Sequence, residues 1–313
     1  MRKWAAVIAI FLGLVFLPQF ISTYYVNLLA LALIYAIFAM SLDLVFGYMD
    51  MPTLGHAAFS GVAAYAIGIF SKDVLAVFWL NFLLGIGMAC VVAALFGLLA
   101  LRTREAYFFM ITLAMAQMLW GIAIKWRSLT RGEDGISSIP RPYLSFLPWS
   151  LGDASIYFYF VLFFFIIASI IMYIMVRSPF GHVISGIREC EQRMRALGFN
   201  TKLYNYIWFI IAGCLAGVAG NLLVYYNGFV SPADVGITTS AEGFLMVLLG
   251  GPGTLIGPAI GAVVIVLLKN IISGWTTRWL LFIGLIYVLV VIFTPNGILG
   301  LVNKFILKKR VTT

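Results

Sequence analysis

The stretch that decides the fold spans residues 156–202, where the apolar run IYFYFVLFFFIIASIIMYIMV (156–176) is followed by RSPFGHVISGIRECEQRMRALGFNTK (177–202). An α-helix needs about 20 apolar residues to cross a bilayer, and the first run supplies them. The second is the longest polar interruption of the chain. Ser178 before Pro179 predicts the start of a helix there, and Gly198 followed by Asn200 predicts its end.

Apolar residues recur every three or four positions within 177–202, which predicts one amphipathic helix with a charged opposite face. They are Ile184, Ile187, Cys190, Met194 and Leu197. Such a helix either lies on a membrane surface or docks into a partner, and the rest of the chain has to decide between the two.

The composition predicts an all-α polytopic membrane protein. Of the 313 residues, 63% are hydrophobic and 10% are charged, whereas a soluble domain has about 25% charged residues. The short alternating segments of a membrane β-barrel do not dominate. The net charge of +9 comes from residues between apolar runs, which favours topology signals over nucleic-acid binding. Three cysteines lack metal-site spacing, so neither a disulfide framework nor a metal site is predicted.

The chain divides into about ten predicted transmembrane segments within a single membrane-embedded domain, 1–313. The segments are 4–20, 25–47, 52–70, 75–100, 105–125, 156–176, 204–227, 240–250, 254–272 and 279–294. With both termini cytoplasmic, thirteen of the 20 Lys and Arg residues fall inside, as the positive-inside rule requires. The stretch 177–202 is then a cytoplasmic loop, and 126–155 is the external loop. The first segment has no small-residue cleavage site after it, so it is predicted to be a retained span.

Two segments are rich in small residues. One follows Pro52, and the other is the broken segment EGFLMVLLGGPGTLIGPAIGAVV (242–264), whose apolar run before the glycines is too short to cross alone. Small residues let helices approach closely, and irregular backbone at membrane depth is buried in protein or lines a cavity. The candidates for the transport pathway or for close packing are Gly55, His56, Gly61, Gly250, Gly251, Gly257 and Gly261.

A few ionisable residues lie in or near the predicted spans. Asp43 and Glu105 fall near cytoplasmic ends and are expected to extend towards water. Asp234 is expected to be solvated in a loop, and Glu242 to lie in the first turn of a helix rather than in a proton relay. His56 is either a packing histidine or part of a pathway or hinge.

The chain lacks the motifs of an enzyme. The nearest approach to a P-loop, 181–188, has no lysine followed by a hydroxyl residue, so ATP is not bound by that route. Neither a nucleophile elbow nor an HExxH motif occurs. No catalytic residue, cofactor site or metal site is predicted.

The sequence resembles the LivM-type permeases of bacterial branched-chain amino acid ABC importers along nearly its whole length. The matching stretches are DLVFGYMDMPTLGHAAFSGVAAY (43–65), RSPFGHVISGIRECEQRMRALGFN (177–200), AGCLAGVAGNLLVYYNGFVSP (212–232), LMVLLGGPGTLIGPAIGAVV (245–264) and TPNGILG (294–300). The resemblance implies a permease of the type II ABC-importer kind in the bacterial inner membrane. Its implied partners are a sister LivH-type permease, two cytoplasmic ATPases that bind ATP and Mg, and a periplasmic substrate-binding protein.

The resemblance also implies that 177–202 is the coupling loop that contacts an ATPase. The residues expected to serve this contact are Ile187, Arg188, Glu189, Glu191, Arg193, Met194, Leu197 and Gly198. Ile187, Met194 and Leu197 are expected to fill a groove on the ATPase. Urea or short amides stay open as alternative cargo, and an ion-coupled secondary transporter stays open as an alternative class.

Overall fold

The computed structural model describes residues 17–19, 21–73, 78–103, 105–141 and 152–276, together with a few residues between 278 and 300. This part of the chain is helical. Its ten α-helices are α1 Thr23–Asp43, α2 His56–Asp73, α3 Phe78–Ala100, α4 Glu105–Lys125, α5 Arg127–Thr130, α6 Ala154–Arg177, α7 Pro179–Ala196, α8 Thr201–Asn227, α9 Ile237–Gly250 and α10 Ile256–Trp275.

Shorter elements join these helices. A π-helical turn, Leu44–Tyr48, extends α1, and two-residue strands β1 (Ile136–Ser137) and β2 (Phe229–Val230) pair antiparallel. The 3-10 turns are Leu17–Gln19, Gly132–Asp134 and Pro232–Val235. The sequence predicted no strands, and this pairing is too short to carry a pattern of alternating residues.

Six of the described helices are long and apolar enough to cross a membrane, namely α1 with its π-helical turn, α3, α4, α6, α8 and α10. Helices α2 and α9 are apolar but shorter. At about 1.5 Å per residue, the 14 residues of α9 reach about 21 Å, less than the roughly 30 Å of hydrocarbon, so the predicted shortness of this segment is confirmed. The predicted helices 4–20 and 279–294 lie mostly outside the described residues.

Helix α8 lies against α2 and α3, and small residues set the distance between them. A Cβ atom at Gly220 would lie 2.0 Å from the carbonyl oxygen of Ser60 on α2, and one at Gly217 would lie 2.6 Å from the Cβ of Ala89 on α3. Ala57 and Ala63 of α2 are fully buried. The prediction that the small-residue helix after Pro52 packs inside the bundle is therefore confirmed.

Helix α8 also extends between two ends of the bundle. With 27 residues it is about 40 Å long. Helix α7 precedes its first turn, and Arg188 of α7 contacts the π-helical turn. Strand β2 follows its last residue and pairs with β1. We name the first of these ends, which contains α7 and the π-helical turn, the hairpin end, because α7 is interrupted at Cys190 and folds back on itself.

Candidate functional site

Helix α7 begins as the sequence predicts. The Ser178 hydroxyl accepts a hydrogen bond from the amide of Gly181 at 3.2 Å, and Pro179 occupies the first turn. Gly198 follows the last turn with φ +89°. Both boundaries of the predicted helix are confirmed to within a few residues.

The prediction of one continuous amphipathic helix is wrong. Cys190 has φ −158° and ψ 95°, an extended conformation that interrupts α7. The second half folds back on the first, since a Cβ at Gly186 would lie 2.8 Å from the sulfur of Met194. Glycine at 186 leaves room for this contact. Residues 179–198 therefore form two short helical arms, named the amphipathic hairpin.

The apolar stripe of the hairpin divides between two environments. Ile184 and Ile187 are buried in the core of their own chain, and Met194 is half-buried beside Gly186. Leu197 is 66% exposed. In this conformation Ile187 lies beneath the hairpin surface rather than on it, whereas Leu197 is available to a partner.

The charged residues of the hairpin also divide between contacts to the rest of the chain and the exposed surface. Glu191 accepts hydrogen bonds from the guanidinium of Arg195 and, at 2.8 Å, from the hydroxyl of Thr201. These contacts fasten the second arm to the start of α8. Glu189 and Arg193 are exposed, as is Gly198. Arg188 is exposed as a whole, but its Nη1 reaches inward and donates to the carbonyl oxygen of Gly47 at 2.6 Å.

The π-helical turn receives two side chains from distant parts of the chain. A π-helical turn shifts the backbone hydrogen bonds from i−4 to i−5, and such turns occur frequently at functional sites. Besides the Arg188 bond, the indole Nε1 of the fully buried Trp208 donates to the carbonyl oxygen of Leu44 at 2.7 Å. The sequence prediction ended this helix at residue 47 and missed both contacts. Gly47 is the residue in the sequence that could have indicated an irregular turn here.

Asp43 is fully buried, so the prediction that it extends towards water is wrong. Its Oδ1 accepts from the amide of Gly253 at 2.7 Å, and its Oδ2 accepts from the amide of Leu255 at 3.1 Å. Arg188 reaches the same end of α1, since its Nη1 donates to the carbonyl oxygen of Gly47. The end of α1 is thereby fixed to the turn between α9 and α10.

The glycines predicted for the pathway or for close packing lie where helices and turns touch. A Cβ at Gly250 would lie 1.9 Å from the carbonyl oxygen of Gly257, and one at Gly261 would lie 2.0 Å from that of Met246. A Cβ at Gly55 or at Gly61 would lie within 2.7 Å of atoms of α4 or of the Pro232–Val235 turn. Gly251 has φ 109°, a conformation that favours glycine.

His56 begins α2 in a fully buried position. Its Nε2 lies 2.9 Å from the Ser41 hydroxyl of α1, and its ring packs beside those of Phe38 and Phe59. Among the described residues, its Nδ1 has no hydrogen-bond partner. The contacts fit a packing histidine between α1 and α2, and a pathway or hinge role stays a prediction.

Two acidic residues have partners that the sequence did not predict. Glu242 is the sixth residue of α9, beyond the first turn, and its oxygens lie 2.8 and 3.1 Å from the Nζ of Lys269 on α10. Asp234 is half-buried rather than solvated, and its Oδ2 accepts from the amide of Ser231 at 2.8 Å. Burial raises the pKa of Asp234, and the bonds from Ser231 oppose that shift. In the part of the chain that the structure describes, no three His, Cys, Asp or Glu residues are grouped to hold a metal ion.

A helical bundle with several apolar spans and a charged hairpin at one end defines a polytopic membrane protein. Residues 24–293 match the family described as branched-chain amino acid transport system / permease component, and the chain belongs to this family. It is therefore a multi-pass transport subunit of the inner membrane rather than an enzyme. The family resemblance predicted from the sequence is confirmed.

Individual relatives agree with this assignment. The chain is 27% identical to the high-affinity branched-chain amino acid transport system permease protein LivM of Escherichia coli K12, over 90% of this chain and 71% of the relative. It is 24% identical to the probable LivM permease of Methanocaldococcus jannaschii, over 85% and 90%. Against the LivH permease of E. coli K12 the identity is 29%, over 36% of this chain and 38% of that protein. No solved structure gives a significant match.

Trp208→Phe should destabilise the protein, because phenylalanine keeps an aromatic ring but cannot donate to the Leu44 carbonyl. An unsatisfied buried carbonyl costs about 1–3 kcal/mol, so the thermal unfolding midpoint in detergent should fall measurably. Trp79→Phe is the matched control, because Trp79 is 51% exposed on α3. Equal midpoints for the two variants would contradict a role for the Trp208 bond.

Proposed function

We propose that this chain is one half of the membrane pore of an ATP-driven importer for branched-chain or related amino acids. The other half is a sister LivH-type permease. Two cytoplasmic ATPases bind ATP and Mg, and a periplasmic protein delivers the substrate. The family match over 24–293 carries the proposal, because it covers most of the chain and names both the transport role and the cargo class.

The proposed topology has both termini in the cytoplasm and the hairpin end facing the ATPases. The Lys and Arg distribution supports it, since Arg177, Arg188, Arg193 and Arg195 all lie in or beside the hairpin. The opposite end, with β1 and β2, then faces the periplasm together with the external loop 126–155. About ten transmembrane segments in the arrangement of a type II ABC importer complete this proposal.

The hairpin supplies the proposed ATPase contact. Its inner residues, Ile184 and Ile187, pack into the permease, so movement of the hairpin acts on the bundle. Its outer residues, Arg193 and Leu197, present one charge and one exposed apolar side chain. Closure of the two ATPases on ATP would move the hairpins and rock the two permeases between outward-open and inward-open states.

The proposed pathway runs along the interface with the sister permease, near the small-residue segments 55–61 and 250–261. The support is that irregular backbone and close packing coincide there, as they do at the substrate sites of many transporters.

Reconstitution with the sister permease, the ATPases and the binding protein tests the proposed function. Uptake of labelled leucine into vesicles should require ATP inside and should not respond to collapse of proton or sodium gradients. Uptake driven by an ion gradient without ATP would instead favour the secondary transporter. Ligand binding to the cognate periplasmic protein separates amino acids from urea and short amides.

Arg193→Glu and Leu197→Asp should each weaken ATPase binding by about tenfold or more, because each places an unfavourable charge on the docking surface. Binding of the purified ATPase to the permease pair in nanodiscs measures the effect. Arg102→Glu is the control, since Arg102 is an exposed arginine between α3 and α4 on the same proposed side. If both hairpin variants bound the ATPase as tightly as the native protein, the hairpin would not be the ATPase contact.

Gly250→Val should abolish uptake, because its side chain would collide with the Gly257 backbone and displace α9 from α10. Gly274→Val is the control, because a Cβ at 274 meets no atom within 4 Å. Complex yield and uptake are measured together. Unchanged uptake by Gly250→Val would exclude this segment from the pathway.

A further inference from the structure

The turn between α9 and α10 contains a strained residue. Leu255 has φ 56° and ψ −53°, and the amide of Ile256 donates to the carbonyl oxygen of Thr254 at 2.6 Å. This is a γ-turn with positive φ at its central residue, which is rare and unfavourable for a bulky side chain. Leu255 is nevertheless buried. Such a conformation persists only where surrounding contacts impose it.

Asp43 supplies those contacts. Its two oxygens accept from the amides on both sides of Thr254, those of Gly253 and Leu255. A buried carboxylate without donors is very costly in a membrane protein, and these amides give Asp43 the donors it needs. The carboxylate and the strained turn therefore stabilise each other.

Arg188 joins the hairpin to the same point. Its Nη1 donates to the Gly47 carbonyl, one turn beyond Asp43, and lies 3.6 Å from the position of a Cβ at Gly253. Gly47 is itself packed against Gly253, where a Cβ at 47 would lie 2.2 Å from the Gly253 amide nitrogen. One arginine of the hairpin thus reaches the end of α1 and the turn before α10 together.

We propose that Arg188 and Asp43 are positioning residues that tie the amphipathic hairpin to the turn 251–255, so that the two move as one body. The proposal rests on the proposed function for what moves the hairpin. Its consequence is that movement of the hairpin is passed directly to α9 and α10. Without the tie, ATP would still be hydrolysed, but the broken segment would follow the hairpin poorly.

Uptake per ATP hydrolysed, in vesicles containing the complete transporter, measures the tie. Arg188→Gln and Asp43→Asn should each lower this ratio about tenfold, the effect of losing one hydrogen bond to a charged group. Arg188→Lys keeps a donor and a positive charge, so its ratio should lie between those of Arg188→Gln and the native protein. Arg102→Gln, which removes an arginine elsewhere, should keep the native ratio. A native ratio in Arg188→Gln would overturn the proposal.

The distance between the hairpin and the start of α10 can be measured with Arg188 and Asp43 present. This test therefore does not require that the variants assemble into a complete transporter. Spin labels at the exposed positions 182 and 256, in a background whose native cysteines are serine, report on the hairpin and on the start of α10. With Arg188 and Asp43 present, their separation should be the same without nucleotide and with ATP bound. A change of more than about one helical turn (~5 Å) on ATP binding would overturn the tie.

The same labels distinguish failure of this inference from failure of the proposed function. Without nucleotide, Arg188→Gln should broaden the distance distribution relative to Arg102→Gln, whether or not an ATPase binds. A chain that binds no ATPase but shows this broadening keeps the tie and loses the proposed function. Equal distributions in a chain that imports leucine with ATP keep the function and overturn the tie.

Discussion

The two hydrogen bonds that the Asp43 carboxylate accepts from Gly253 and Leu255 are the interaction on which the hairpin end depends. They satisfy two requirements of a buried site together. A buried negative charge requires donors, and the amides of a broken helix require acceptors. Arg188 adds its positive charge and a bond to Gly47 at the same place. Residues from α1, α7 and the α9–α10 turn are thereby brought to one point.

Close packing of small residues is the second constraint on how the helices of the bundle are arranged. Lipid is as apolar as leucine, so transmembrane helices gain little from hydrophobic burial against one another and rely on contact and hydrogen bonds. Gly220 and Gly217 bring α8 against α2 and α3, and Gly250 and Gly261 bring α9 against α10. Large apolar side chains such as Leu83 and Met110 are correspondingly exposed on the outer faces of α3 and α4, as lipid contact requires.

The candidate site could be predicted only in part. Features that depend on neighbouring residues were predicted, and features that depend on contacts between distant residues were not. Local signals located α7 correctly, because capping by Ser178 and termination near Gly198 depend on neighbouring residues. The same local pattern missed the break at Cys190, since the apolar spacing continues through it. It also placed Asp43 near water, because the amides that bind this carboxylate lie about 210 residues further along the chain. The π-helical turn was missed for the same reason, as its partners Arg188 and Trp208 lie 141 and 164 residues further along the chain.

The sequence by itself determined the helical membrane class, the positions of most described helices and the family. These depend on the length of the apolar runs, on the residues at helix ends and on similarity to the family over most of the chain. All three can be read directly from the sequence. The tertiary structure alone decided that α7 folds into a hairpin, that Ile187 is covered while Leu197 is exposed, and that Glu242 pairs with Lys269. It also decided the contacts of Asp43 and Arg188. Each of these depends on which distant backbone groups remain without a partner, and that is known only once the helices are packed.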